Sequence, residues 1–353
     1  MKKSTTIGAI VAVALIASLS LGIILLDQEY KGDVKAELIA RVNTDGSGMF
    51  ARVGLDLATD NGPGEVEFNY SAWNMIVIVT PGPSTIQHVM LAEIVEDMGY
   101  NFLQYTQNTT KSSGNVYWLQ MSSAGVVTDF VSKGDIDAGI IWEPVFSQAI
   151  MQTERTAETV FKTNDSDPGH TCCCIAANSD FLKNNPETTV AFLAGYIRAV
   201  DFVNEAKAQK GEIPAGTFDG VTTISQAITK LDDGDWTKYE FLVYLGMNKT
   251  QKSQAVVVSA LNNVEYVYAD EDGTLDALRT QVESLTGSFY EMGAVSLKPV
   301  SNTGSASITD FANRFVDGAY LEEAETFSGT HNANVRVQAI TGDIHQIALH
   351  VGH

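Results

Sequence analysis

Trp142 and Glu143 stand side by side at the end of a short apolar run, Ala138-Gly139-Ile140-Ile141, with Pro144 directly after them. An aromatic plate and a carboxylate in that position can stack on and orient a small molecule. The run is too short for a helix, and its Ile-Ile end favours a buried strand. The acidic turn Gly134–Asp137 leads into it. In an open α/β sheet, ligands sit at the carboxyl ends of strands. A plain structural role competes with this reading: Trp142 in the core and Glu143 capping the next helix.

A second candidate is Thr80-Pro81-Gly82-Pro83-Ser84-Thr85-Ile86-Gln87-His88. It follows the apolar strand pattern Met75–Val79, turns at Gly and Pro, and opens a helix near Ser84. Unpaired N–H groups and the helix dipole at such a start favour an anion or a polar carbonyl. Ser84 and Thr85 add hydroxyls, and Gln87 and His88 can face a cleft. The competing role is an ordinary helix cap.

The third is Pro168-Gly169-His170-Thr171-Cys172-Cys173-Cys174. On a regular strand Cys172 and Cys174 point one way and Cys173 the other. Adjacent cysteines are poor disulfide partners, so the plain reading is three small buried hydrophobes. His170 is a candidate cleft residue, and His345-Gln346 joins the set if the end of the chain folds back. The sequence contains no recognisable Ser-His-Asp set, paired catalytic carboxylates, phosphate loop or zinc-spaced His-Glu pair. No cofactor and no bound metal are expected.

The elements that would position these residues alternate. Ala36–Val42, Met75–Val79, Phe102–Tyr105, Ala138–Ile141 and Thr171–Ala177 read as strands. Thr85–Met98 and Val116–Lys133 read as helices, and Asn43–Gly48 as a polar loop. Strand, helix, strand in this order implies a parallel α/β sheet. Pro186 opens a long helix with Val190, Leu193, Ile197, Val200 and Val203 near helical spacing. Further helical patterns cover 236–245, 252–261, 275–292 and 308–319.

The 353 residues can hold two lobes of roughly 100–200 residues each, and 44% of them are hydrophobic. The net charge of −21, with no basic run beyond Lys2-Lys3, argues against nucleic acid, which requires clustered cations. Lys2-Lys3 followed by the apolar run Thr6–Leu26 is an export signal or a membrane anchor. Export places the body outside the cell or on its surface. Asn69, Asn108, Asn164 and Asn248 each head an Asn-x-Ser/Thr triplet, which permits glycosylation there.

The segment Gly134–Pro144 resembles the second-lobe signature of substrate-binding proteins of the nitrate/sulfonate/taurine ABC-importer family, which includes thiamine-pyrimidine-precursor-binding proteins. Asn178–Glu205, with Asn185-Pro186-Glu187 heading a long amphipathic helix, resembles it as well. The likeness spans roughly residues 35–205. It implies an α/β, periplasmic-binding-protein-like fold of two lobes with parallel-rich sheets. The implied protein captures a small polar or anionic organic solute and delivers it to a membrane ABC permease; it is not an enzyme.

Vicinal cysteines with a nearby His also resemble the iron motif of pyrimidine synthases that share this fold. An enzyme using His170 and the cysteines is thus an alternative, weakened because that motif's further Cys is replaced by Ala176. A surface interaction protein built from a binding fold is another.

Val335–Ile340 followed by Thr341–Gln346 resembles the start of the mature family protein, here displaced to the end. The first lobe is therefore expected to be incomplete or permuted, unless the short motif is coincidental. The expected layout is a signal or anchor over 1–30, a first-lobe portion over 31–79 and a second lobe over 80–205. A helical region over 206–330 then returns to the first lobe, and 331–353 completes it. That last segment adds its strand within its own chain or in a neighbour, giving a monomer or a head-to-tail assembly.

Overall fold

The computed structural model describes residues 35–122, 136–151, 157–291, 305 and 307–330. The expected leader, Gly134-Asp135 and the terminal segment with His345 and Gln346 lie outside the described residues.

In chain order the elements are β1 (Ala36–Asp45), β2 (Ser47–Arg52), β3 (Ala58–Asp60), β4 (Val66–Phe68), β5 (Val77–Thr80), α1 (Ile86–Asp97), β6 (Asn101–Gln104), β7 (Asn115–Gln120), β8 (Ala138–Trp142), α2 (Val145–Ile150) and β9 (Ala157–Lys162). There follow α3 (Thr163–Ser166), β10 (Thr171–Asn178), α4 (Ser179–Asn184), α5 (Pro186–Ala208), α6 (Ile224–Asp232), α7 (Lys238–Thr250), α8 (Gln254–Asn263), β11 (Val264–Tyr266), α9 (Asp276–Glu291), α10 (Ile308–Phe315) and α11 (Ala319–Thr330). No helix among the described residues is long and apolar enough to cross a membrane.

Two main sheets form, and β3 and β4 make a small hairpin-like pair. The larger sheet has the order β6-β7-β5-β8-β2-β9; β6, β7, β5 and β8 run parallel, and β2 is antiparallel to both its neighbours. Side chains alternate across a pleated strand, and this sheet uses both faces. Met49, Ile78 and Ile140 meet Leu91 and Val95 of α1 on one face. Phe50, Val79 and Ile141 meet Phe146 and Ala149 of α2 on the other. Gly139 lies where a Cβ would stand 2.5 Å from the Phe50 ring and 2.7 Å from Val79 Cγ2, so the central strand has room only for hydrogen there.

The smaller sheet, β10-β1-β11, is antiparallel. Leu38, Ile39 and Ala40 are buried in succession in one core, where the β1–β10 register shifts between Leu38 and Ala40. Leu193 and Ile197 of α5, Leu278 and Val282 of α9, and Leu321 and Ala324 of α11 complete this core.

Three expectations change. Val116 and its neighbours were expected in a helix, yet Asn115–Gln120 is a strand between β5 and β6. Its Val, Tyr and Trp suit a half-buried pleat, and the pairing strands that decide the matter are remote in sequence. The strands near Ala36–Val42 and Met75–Val79, read as neighbours in one truncated lobe, lie in different sheets. Finally, Asn43–Gly48 is not a loop. Asn43, Thr44 and Asp45 finish β1, Ser47 and Gly48 begin β2, and Gly46 alone lies between them. Their polarity suggested solvent, but Asn43, Thr44 and Ser47 are buried.

Candidate functional site

Among the described residues the chain passes between the two sheets at two places. At the first, Asp45 (φ 71°) and Gly46 (φ 90°) both take left-handed backbone. Asp is among the few residues that tolerate this, and glycine does so without a side-chain penalty. At the second, β9 leads through α3 and Gly169 (φ 79°) into β10. The crossings touch: Thr163 Oγ1 donates to the Ser47 carbonyl at 3.2 Å.

Gln87, in the first turn of α1, reaches into this junction. Its Nε2 donates to Ser47 Oγ at 2.9 Å and approaches Cys172 Sγ at 3.7 Å. Ser47 Oγ and Cys172 Sγ lie 3.8 Å apart. One residue from the larger sheet's helix, one from the first crossing and one from the start of β10 thus meet in a buried polar cluster. Hydrogen bonding, from Cys173 foremost and then from Ser47, Asn43 and Gln87, holds the Cys172 thiol below its ordinary range despite burial.

The cysteines do not alternate as expected. The β1–β10 register shifts at Asn43, opposite Cys173, and this irregularity brings Cys172 and Cys173 Sγ to 4.0 Å. All three thiols are free. Among the described residues no group of three or more His, Cys, Asp or Glu is placed to hold a metal ion.

The other sequence candidates divide. Thr85 is a helix cap whose side chain accepts from the His88 amide, and its own hydroxyl donates to the Gly82 carbonyl at 2.8 Å. The N–H of His88, expected to be free for an anion, is therefore already engaged, and Thr85 is buried. Ser84, beside it, is half-buried. His88 turns away from the junction: its Nδ1 is 2.9 Å from Thr80 Oγ1, and its ring packs between Phe102 and Trp118 at 5.1 and 4.8 Å. Adjacent helical residues point about 100° apart, so only one of Gln87 and His88 can face the junction.

Burial brings the His88 pKa down to about 4. A base whose folded pKa is depressed contributes stability above its unfolded value, here 6.5, that is lost as pH falls towards 4. The protein is expected to lose about 3 kcal/mol over that interval through this one ring. Urea titrations at pH 7 and pH 4, with His88→Gln as reference, check this. An equal pH loss in the variant would place the effect elsewhere.

Trp142 is half-buried at the edge of the α2-side core and pairs with Ser47 across β8 and β2. Glu143 takes the capping role: its carboxylate accepts from the Ser147 amide at 3.0 Å and from Ser147 Oγ at 2.8 Å. Asn263 Nδ2 donates to it at 2.7 Å, and Ser147 Oγ, its one proton spent on Glu143, accepts from Ser259 Oγ at 2.8 Å. Glu143 and Ser147 belong to the larger sheet's unit; Ser259 and Asn263, on α8 before β11, belong to the smaller one. Burial pushes the Glu143 carboxyl above its ordinary range, although all of these donors favour the charged form.

His170 is buried beside the second crossing, its Nδ1 2.8 Å from the Asp167 carbonyl. Arg41 fixes this bend: Nε donates to Thr171 Oγ1 at 2.9 Å, Nη2 to the Gly169 carbonyl at 2.8 Å, and Nη1 pairs with Asp270 at 2.5 Å. Sequence reasoning missed Asp45, Ser47, Asn263 and Arg41. The Asp45-Gly46 dipeptide was the available signal, and it was read as part of a polar loop. An open groove of about 500 Å³ lined by Pro214, Lys230 and Trp236 shares none of the junction residues.

Two α/β units joined by paired crossings, with a parallel-rich sheet in the larger, make this a periplasmic-binding-protein-like fold. It matches that of the periplasmic nitrate-binding protein NrtA from Synechocystis PCC 6803, with a TM-score of 0.52 and 12% identity over 83% of this chain and 67% of that one. Likeness extends to the ligand-binding component of an ABC-type import system from Staphylococcus aureus with zinc bound (TM-score 0.49, 13% identity, 83% and 75% covered). It also extends to the periplasmic aliphatic sulphonate-binding protein SsuA from Escherichia coli (TM-score 0.48, 13% identity, 76% and 68% covered). These likenesses are of fold. No family model and no curated protein matches the sequence.

Proposed function

We propose that this chain is a solute-binding protein that captures a small polar organic solute between its two units and delivers it to a membrane permease of the ABC import type. The observation that carries this is the buried cluster of Gln87, Ser47 and Cys172, where both crossings meet. A polar group buried without need costs stability, and binding folds of this architecture place their ligands between lobes that close about a hinge. Export, with residues 6–26 as signal or anchor, belongs to the same reading, as does a role for His345 and Gln346 at the cleft. The chain would then act as a carrier rather than as an enzyme.

Thermal denaturation of the full chain against a panel of small cationic, anionic, zwitterionic and neutral metabolites tests the proposal. A solute present at 100 times its Kd is expected to add about 2.7 kcal/mol, and Ser47→Val is expected to abolish the shift. A panel that leaves the melting temperature unmoved, or a shift that survives Ser47→Val, would remove the site.

A further inference from the structure

Three buried side-chain atoms around the crossings have no hydrogen-bond partner: Asp45 Oδ1, Gln87 Oε1 and His170 Nε2. Gln87 is 1% exposed and His170 5%, so water does not reach these side chains freely. Their chemistry is uniform. The Gln87 amide places its nitrogen between Ser47 Oγ and Cys172 Sγ, spending both hydrogens and leaving only the oxygen bare. Turned the other way, it would leave two orphan donors in place of one orphan acceptor. The His170 Nδ1 faces the Asp167 carbonyl, which can only accept. Nδ1 therefore carries the proton, and Nε2 of the neutral ring presents a lone pair. Asp45 contributes a carboxylate oxygen. All three orphans are acceptors.

We infer, building on the solute-binding reading, that the solute is a small organic cation carrying N–H donors, such as an ammonium, amidinium or guanidinium group. Buried acceptors left bare cost stability until a donor meets them; a ligand supplying N–H groups removes that cost, and an anion adds to it. The charges nearby favour the same sign. Burial foremost, and then the charges of Asp165 and Glu265, raise the Asp45 pKa to about 6 against the opposing pull of Lys162. Of the other cations that act on these groups, Lys207 donates to the Val264 carbonyl and Arg41 is paired with Asp270.

The test uses the full chain and four probes: benzamidine and agmatine as N–H cations, nitrate and methanesulfonate as anions. The cations are expected to raise the melting temperature and the anions to leave it unchanged. Gln87→Met keeps the bulk and removes the acceptor, so affinity for agmatine is expected to fall about tenfold, the equivalent of one hydrogen bond to a charged group. Gln87→Glu is expected to tighten it. Asp45→Asn suits the left-handed backbone at that position and is expected to weaken agmatine while remaining folded, which keeps the test available if a Gln87 variant does not fold. Stabilisation by nitrate or methanesulfonate alone overturns the cation assignment and leaves the solute-binding reading intact. No shift from any of the four also overturns it, and the broad metabolite panel then judges solute binding separately.

Discussion

Replacing Arg41 with alanine is expected to cost about 3–5 kcal/mol, the range found when one partner of a buried ion pair is removed. The guanidinium is 7% exposed and serves three partners on different parts of the chain. Asp270 would be left charged and largely buried, and the Gly169 carbonyl and Thr171 hydroxyl would lose their donor. Arg41→Lys keeps the charge but loses the planar fork, and is expected to recover less than half of the loss. Equilibrium urea unfolding of the three proteins checks this; a cost below about 1 kcal/mol for Arg41→Ala would mean that solvent replaces the guanidinium, as at exposed pairs. The same variant is expected to weaken solute binding, because Arg41 holds the bend that carries His170 and leads into Cys172.

Glu143→Ala is expected to be nearly as costly, about 2–4 kcal/mol, because it leaves the Ser147 amide and hydroxyl and the Asn263 amide without their acceptor in a buried place. Its particular effect is on cooperativity. The carboxylate and Ser147 tie α2 to α8, and so one unit to the other. Denaturation followed by both tryptophan fluorescence and far-UV circular dichroism is expected to give coincident curves for the parent chain and separated curves for the variant. Coincident curves at an unchanged midpoint would show that this tie contributes nothing.

The sequence revealed the strands whose apolar alternation is local. Ile78/Val79 and Ile140/Ile141 announce a sheet covered on both faces, and Pro186 with Val190, Leu193 and Ile197 announces α5. What it concealed depended on contacts distant in the chain. Tyr117 and Trp118 read as helical until β5 and β6 are placed on either side of them. Asn43, Thr44 and Ser47 read as solvated because the residues they meet, such as Cys173, Glu265 and Cys172, are remote in the chain. In the site, Gln87 and His88 were read as a pair. The helix sends one to Ser47 and the other to Phe102 and Trp118, and only the positions of those partners reveal which. Glu143 was read either as a ligand-orienting carboxylate or as a helix cap, and Asn263, which shares it, lies 120 residues away.

Two adjoining crossings behave mechanically as two pins of one door. On the solute-binding reading, a line through Gly46 and the Thr163–Gly169 bend would be the axle about which one unit swings against the other. Points near an axle travel least. Gln87, Ser47 and Cys172 lie beside that line and would keep their mutual distances through most of such a swing, while the far rims would sweep the largest arc. Recognition chemistry at such an axle would stay assembled whether the door stood open or shut, and the rim would then be the surface from which the proposed permease reads occupancy.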